Sequence, residues 1–445
     1  VGSLIHRLSD AIAHGKHATL PNGTVTAIAT RRVNMHDSTV TLPFGTETLS
    51  VALPDCSVTV AEPPGGTPVD PQKAAANALA DPHGPPLTER VDAAEEVAVV
   101  VTDVTRATPD DVLLEELVAR LPVPREQLSV VLGLGLHRPM TDEEIRDGLG
   151  EYADLAENHD PTATVEVGRV DETPVLVNET VADADVVLAT GMVEPHQYAG
   201  FSGGAKTVVI GAGGEPLIRH THGPDVLSQP GVRLGRVEDN PFREILDRAG
   251  DLAGPDFCVN VTHGPSGILG AAAGDPRAVV EDLAARAREA LSVPVETGYD
   301  AVVAGVGAPK DANLYQTTRA ATYVLLGAQN PLRAGGRVVV PARLPEGVGK
   351  GTGEQRFAER LSNADSAAAL YEEMRAGYEP GAQRAFVLAR ALRDHDVWIT
   401  NSECPETVES CLLSAADDPA DAIEPGSDVL VVPDALDTLL VPSES

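Results

Sequence analysis

The sequence predicts an α/β protein of two α/β domains with mainly parallel sheets. Three observations carry this: Val/Ile/Leu runs of strand length, helical patterns between them, and a chain of 445 residues, long enough for more than one domain. Strands that are apolar throughout, without polar alternation, are buried on both faces. Helices must then cover both sides of the sheet.

Residues 1–40 are rich in His and Thr without sustained periodicity and read as an N-terminal extension. From Val40, VTLPFGTETLSVALP alternates as an edge hairpin turning at Gly45, and AEPPGGTPVDP is a loop. VAVVVTDV (97–104) is a strand, followed by the helix TPDDVLLEELVARL with Thr108 as N-cap and Pro109 at its first position. LSVVLGLGL (128–136) is the next strand, and a Thr141/Glu144 capping box opens the helix after it. DVVLATGM (185–192) is a third strand, DPRAVVEDLAARAREAL (275–291) an amphipathic helix, and SVPVETGYD a connector. A second series follows: DAVVAGVGA (300–308), GRVVVPA (336–342), DVWITN (396–401) and DVLVVPDA (428–435). The division falls near residues 285–300, giving an N-terminal domain over 41–290 and a C-terminal domain over 291–445.

Composition excludes some functions. Lys plus Arg number 33 against 67 Asp plus Glu, a formal charge of -34, which argues against nucleic acid as a partner. No apolar run approaches the roughly 18 residues of a membrane span. The opening VGSLIHRLSDAIAHGK lacks the apolar core and cleavage site of an ordinary signal peptide. Cys56, Cys258, Cys404 and Cys411 lack zinc spacing and read as core thiols of a reducing cytoplasm. Lysine occurs only at positions 16, 73, 206, 310 and 350, and acid excess with so little lysine predicts a halophilic protein whose carboxylate repulsion is screened by salt.

Ligands of open parallel sheets bind beyond the carboxyl ends of the strands. Four polar segments fall there: Asp103-Val-Thr-Arg106, His137-Arg-Pro-Met, Glu194-Pro-His196 and Lys310-Asp-Ala-Asn313. Three lie in the first half and one in the second, which predicts an active site in the cleft between the domains. Taken singly, Arg106 can equally salt-bridge to Asp103 or Asp110, and His137 can be a satisfied loop histidine. Lys206 stands out, because a chain that almost avoids lysine places one directly after a Ser-Gly-Gly bend. That points to amine chemistry: a nucleophile, a Schiff base or a covalent tether. Gly347-Val-Gly-Lys350-Gly-Thr lacks P-loop spacing, and Gly211-Ala-Gly-Gly214 lacks that of a dinucleotide fold.

Together these segments resemble the lactate racemase family of nickel-pincer nucleotide enzymes. The resemblance rests on Asp103-Val-Thr-Arg106, Gly135-Leu-His137-Arg-Pro-Met-Thr, Glu194-Pro-His196-Gln-Tyr-Ala-Gly-Phe-Ser-Gly-Gly-Ala-Lys206, His222, and Pro309-Lys-Asp-Ala-Asn-Leu-Tyr-Gln316, in that order. It implies a racemase or epimerase of 2-hydroxy acids, lactate being the leading single substrate, working by hydride transfer. The implied cofactor is a pyridinium-3-thioamide-5-thiocarboxylic acid mononucleotide carrying Ni(II), tethered on Lys206 and ligated by His222, with Asp103 on the cofactor side. Borderline imidazole with soft sulfur suits Ni(II) in a square-planar site. By the same resemblance His137 and His196 are the acid/base pair, while Arg106, Tyr315, Gln316 and Arg319 face substrate, and separate maturation proteins assemble the cofactor. Three positions depart from the family pattern: Ala205 where an Arg is common, Arg319 where lactate enzymes carry a Lys, and Gln383 near the place of a family Trp. The alternative is a non-catalytic protein that binds a hydroxy acid or nucleotide in the same cleft. If the charge pattern is an adaptation to salt, the thermal midpoint will rise from dilute buffer to molar KCl in a calorimetric series. An equal midpoint at both ends would refute it.

Overall fold

The computed structural model describes residues 30–33 and 39–443, apart from Ala94 and Leu136. The remainder of the extension expected over residues 1–40 lies outside the described residues. The rest is an α/β architecture built on two large, mainly parallel sheets. One has six strands in the order 267–274, 257–264, 186–192, 97–101, 128–132 and 156–158. Its neighbours run parallel except for the outermost hairpin pair, 257–264 with 267–274. Val97–Val101 and Val186–Met192 are buried at every position, as strands covered on both faces must be.

The other sheet has seven strands in the order 30–33, 57–61, 428–432, 299–304, 332–341, 396–400 and 414–416. Here the structure departs from a simple sequential division. Ser57–Ala61 pairs in parallel with Asp428–Val432, and Thr30–Val33 adds to its other edge. The described part of the chain thus starts in the second sheet, crosses to the first, and returns at Tyr299. A run such as SVTVA fits either of two parallel sheets, so periodicity alone does not choose its partner. The hairpin Thr39–Phe44 with Glu47–Ala52 turns at Gly45 (φ +58°) as expected. The supposed connector after the long helix Pro276–Leu291 contains a strand, Ser292–Val295, which pairs with Leu439–Pro442.

Smaller differences have local causes. The helix after the first strand begins at Asp110, and Pro109, not Thr108, occupies the N-cap position without capping. The Asp110 carboxylate instead accepts the Thr102 and Thr190 hydroxyls, at 2.6 and 2.5 Å, which ties the helix start into the sheet. The Thr141/Glu144 capping box is present in both directions. The second strand stops at Leu132 because Gly133 passes directly over backbone: a Cβ there would meet the Val101 carbonyl at 3.0 Å and the Gly211 Cα at 3.3 Å. Cys56, Cys258 and Cys411 are buried and all four cysteines are unpaired.

Strand order places the site. In the six-stranded sheet the chain winds outward from 97–101 to 128–132 and 156–158, then resumes on the other side of 97–101 with 186–192. That reversal opens a crevice between the carboxyl ends of 97–101 and 186–192. In the second sheet the same reversal lies between 299–304 and 428–432. The segments after these four strands are Asp103–Arg106, Glu194–His196, Lys310–Asn313 and Asp434–Asp437.

Gly200, in the bend after the first of these crevices, has φ +76°, and a Cβ there would lie 1.8 Å from the Arg236 carbonyl oxygen. Gly200→Ala is therefore expected to cost more than about 2 kcal/mol in urea unfolding. Gly426, at φ +89° with nothing near its Cβ position, is the control and should cost only about 1 kcal/mol on the same measurement.

Candidate functional site

The first crevice is built on opposite charges. The His137 Nδ1 lies 2.6 Å from the Asp103 Oδ2, and Asp103 is buried while half of the imidazole is exposed. Asp103 Oδ1 accepts the Thr105 backbone N–H and hydroxyl at 3.0 and 2.5 Å. Burial opposes the Asp103 charge, but these hydrogen bonds and the adjacent imidazole hold its pKa below the ordinary carboxylate value. A carboxylate on Nδ1 fixes the proton there and leaves the Nε2 lone pair outward. Both Asp103 oxygens are thus engaged within the chain, Oδ2 by His137 and Oδ1 by Thr105. Arg106 donates from Nη1 to Glu194 across the crevice, not to Asp103 or Asp110. Glu194 in turn lies 3.6 Å from His263 Nε2, which is 4.0 Å from Asp437 of the second sheet's crevice.

Lys206 is held by a bend that only glycine can make. Gly203 (φ +81°) and Gly204 (φ +60°) precede it, and a Cβ on either would fall within 2.8 Å of Asn260, Val193 or Val280. Asn260 Oδ1 accepts the Gly204 N–H at 2.9 Å, and the buried Arg243 guanidinium donates to the carbonyls of Phe201 and Gly203. Burial, with Arg106 and Arg243 nearby, brings the Lys206 ammonium down to a pKa of about 7. The amine is therefore a nucleophile near neutrality.

Two histidines stand in an aromatic frame with Tyr198 and Phe242. His222 is 5.0 Å from Phe242 and 5.6 Å from Tyr198, ring centre to ring centre, and His196 is 5.6 Å from Tyr198. His222 Nδ1 donates to the Ile218 carbonyl at 3.1 Å, and burial together with Lys206 lowers its pKa to about 4. It is thus a neutral imidazole with a free Nε2, the state of a metal-ligating histidine whose other nitrogen is anchored. His196 has the opposite polarity. Its Nδ1 accepts the Tyr198 and Ala199 N–H groups at 3.3 and 3.1 Å, so the proton sits on Nε2. Burial, then Lys206, Arg106, His222 and Arg319, push its pKa well below the usual imidazole value.

The second unit contributes from two helices. Asn313 caps Leu314–Leu325 by accepting the Gln316 N–H at 2.9 Å, which sets Tyr315, Gln316 and Arg319 on its first turns. Arg319 donates to the Tyr323 hydroxyl at 2.8 Å and to Gln316 Oε1 at 3.4 Å. Lys310 is brought down to about 8 by burial, with Arg319, Arg106 and Arg384 adding to it. Arg384, on the helix Gln383–Leu392, stacks over the Tyr315 ring with its carbon 4.5 Å from the centroid. Gln383 turns away, its side chain accepting the Gly381 N–H at 2.8 Å.

Arg106 acts on His196, Lys206 and Lys310 alike, and Arg319 acts on His196 and Lys310, so these expected site residues share one field across both units. Reading the sequence missed Arg384, Tyr198, Asn260 and Arg243. Tyr198 lies inside the Glu194–Lys206 segment without being singled out, whereas Arg384, Asn260 and Arg243 lie in no recognised motif; Asn260 and Arg243 are joined to the Ser-Gly-Gly bend only by the fold.

Comparison with known proteins is consistent across the chain. The lactate racemase N-terminal domain matches residues 44–235. Lactate racemase of Lactiplantibacillus plantarum is 26% identical over 368 residues, covering 77% of this chain and 84% of that protein. Lactate racemase of Thermoanaerobacterium thermosaccharolyticum is 26% identical over 385 residues, covering 82% and 89%. The apoprotein structure of lactate racemase from that organism superposes with a TM-score of 0.79 at 22% identity, over 90% of this chain and 99% of that one. A Thermotoga maritima protein superposes with a TM-score of 0.62 at 18% identity, over 84% and 98%. The fold is therefore that of the lactate racemase structure, with two mainly parallel sheets. By sequence the chain resembles these two proteins named lactate racemase over most of its length.

The depressed pKa of Lys206 predicts selective chemistry. Brief acylation of the cofactor-free chain at pH 8 should modify Lys206 and Lys310 ahead of Lys73 and Lys350, read by peptide mass mapping. An order set only by solvent exposure would show that the amine of Lys206 is not activated.

Proposed function

We propose that this chain racemises or epimerises a 2-hydroxy acid, lactate being the simplest, by hydride transfer in a cleft between its two α/β units, with a nickel-pincer nucleotide as cofactor. The observation that carries the reading is the pairing of an activated amine on Lys206 with a neutral His222 whose Nε2 is free. The donor set fits such a group. Among the described residues no cluster of three or more His, Cys, Asp or Glu side chains could hold a metal unaided, so an ion here needs ligands that a cofactor brings. Lys206 would hold the group covalently and His222 Nε2 would ligate its metal.

When bound, the cofactor supplies the acceptor and donor of hydride. The chain's residues then have defined tasks. An imidazole is too weak a base to remove the α-proton of a 2-hydroxy acid, so the proton to move is that of the hydroxyl. His137 Nε2 takes it, and Asp103 on Nδ1 supports the positive charge that forms. Arg106, with Nη1 on Glu194, uses its remaining donors to grip the substrate carboxylate while the carbon is planar. Inversion needs a second histidine on the other face. His196 takes that role, giving the second proton of its imidazolium form to the oxygen on that side and returning to the neutral imidazole. The cofactor-maturation proteins and a cytoplasmic location belong to the same reading.

The test is turnover of the cofactor-loaded chain on a panel of 2-hydroxy acids, read by chiral chromatography. His137→Gln and His196→Gln should each lower kcat by at least about a hundredfold while leaving cofactor content intact. Asp103→Asn should lower kcat on the same panel, but less than loss of His137 does. Turnover within a few-fold of the parent in either histidine variant would overturn the two-histidine assignment.

A further inference from the structure

The second unit carries more positive charge than the reading above uses. Arg384 is only 8% exposed, and among the described residues its Nε and Nη1 have no hydrogen-bond partner. The Arg319 Nε is buried and unpartnered as well. Among the described residues no carboxylate lies within salt-bridge reach of Arg319, Arg384 or Lys310, whereas Arg106 has Glu194. This is anomalous in a chain with 67 acidic and 33 basic residues, whose other arginines are commonly paired at the surface. Burying an unpaired charge is costly in the free protein. Such groups persist where a ligand anion completes them.

The three cations lie together. Arg319 and Arg384 both act on Lys310, and both act on the Tyr198 hydroxyl, itself buried and without a partner. Stacking on Tyr315 holds the Arg384 plane, and Tyr323 holds that of Arg319, so both forks are fixed before a ligand arrives. One carboxylate on Arg106 would leave this second group unanswered.

We propose that the substrate is a 2-hydroxy dicarboxylate, whose distal carboxylate is bound by Arg384 with Arg319 and Lys310 while the proximal one lies on Arg106. This rests on the proposed function, naming the substrate class of the same site. A phosphate on the proposed nucleotide would be the competing anion, and comparing the chain with and without cofactor separates the two.

Calorimetric titration of the full chain, with and without cofactor, against malate and lactate tests it apart from catalysis. Malate should bind at least about tenfold tighter than lactate, with the stronger salt dependence. Arg384→Gln should cost malate at least about tenfold more affinity than it costs lactate, with Arg384→Lys between them. Equal affinity of the parent chain for the two acids overturns the proposal without any variant. Loss of cofactor loading in Arg384→Gln, with the malate preference intact, assigns the arginine to the nucleotide and overturns it too. A chain that prefers malate through Arg384 but racemises nothing keeps this inference and removes the proposed function. One that racemises lactate regardless of Arg384 does the reverse.

Discussion

A partly buried lysine amine in the field of two guanidinium groups is the constraint on which the rest depends. Ammonium in that place is opposed by burial and by repulsion from Arg106 and Arg243, so the neutral amine is favoured near pH 7. The backbone around it leaves little choice of position. Gly203 and Gly204 make a bend closed to side chains, Asn260 ties it to the neighbouring strand, and Arg243 grips its carbonyls from behind. The same field acts on His196 and His222, which both become neutral imidazoles. One electrostatic environment thus favours the neutral lysine amine and two neutral imidazoles together.

The topology explains why these groups meet. Each large sheet reverses its winding once, and each reversal opens a crevice at the carboxyl ends of two strands. The Arg106–Glu194 pair closes the first crevice, and His263 links Glu194 toward Asp437 of the second. Residues separated by hundreds of positions are brought into one field by two such reversals. The histidines show how local bonds then divide labour. A carboxylate on Nδ1 gives His137 an outward lone pair, while backbone N–H groups on Nδ1 give His196 an outward proton.

Much of this was legible in the sequence because parallel strands buried on both faces write themselves as plain apolar runs. Val97–Val101, Val186–Met192 and Asp428–Val432 are read directly, and so is the Thr141 capping box. Lys206 was legible through rarity, since lysine is so scarce here. The partner of Ser57–Ala61 was not, because pairing between sheets is a long-range choice that five apolar residues do not encode. Thr108 failed as a cap because the Asp110 carboxylate is drawn to Thr102 and Thr190, a tertiary contact that outweighs local preference. Arg384 escaped for a similar reason: nothing near it in the chain marks it, and only the fold strips it of water and of a counter-charge.

The most direct measurement is the intact mass and peptide map of the full chain made together with its maturation proteins. A mass gain equal to the nickel-pincer mononucleotide, confined to the peptide holding Lys206 and lost in Lys206→Arg, is what the account requires. A chain that inverts 2-hydroxy acids with Lys206 unmodified would contradict it.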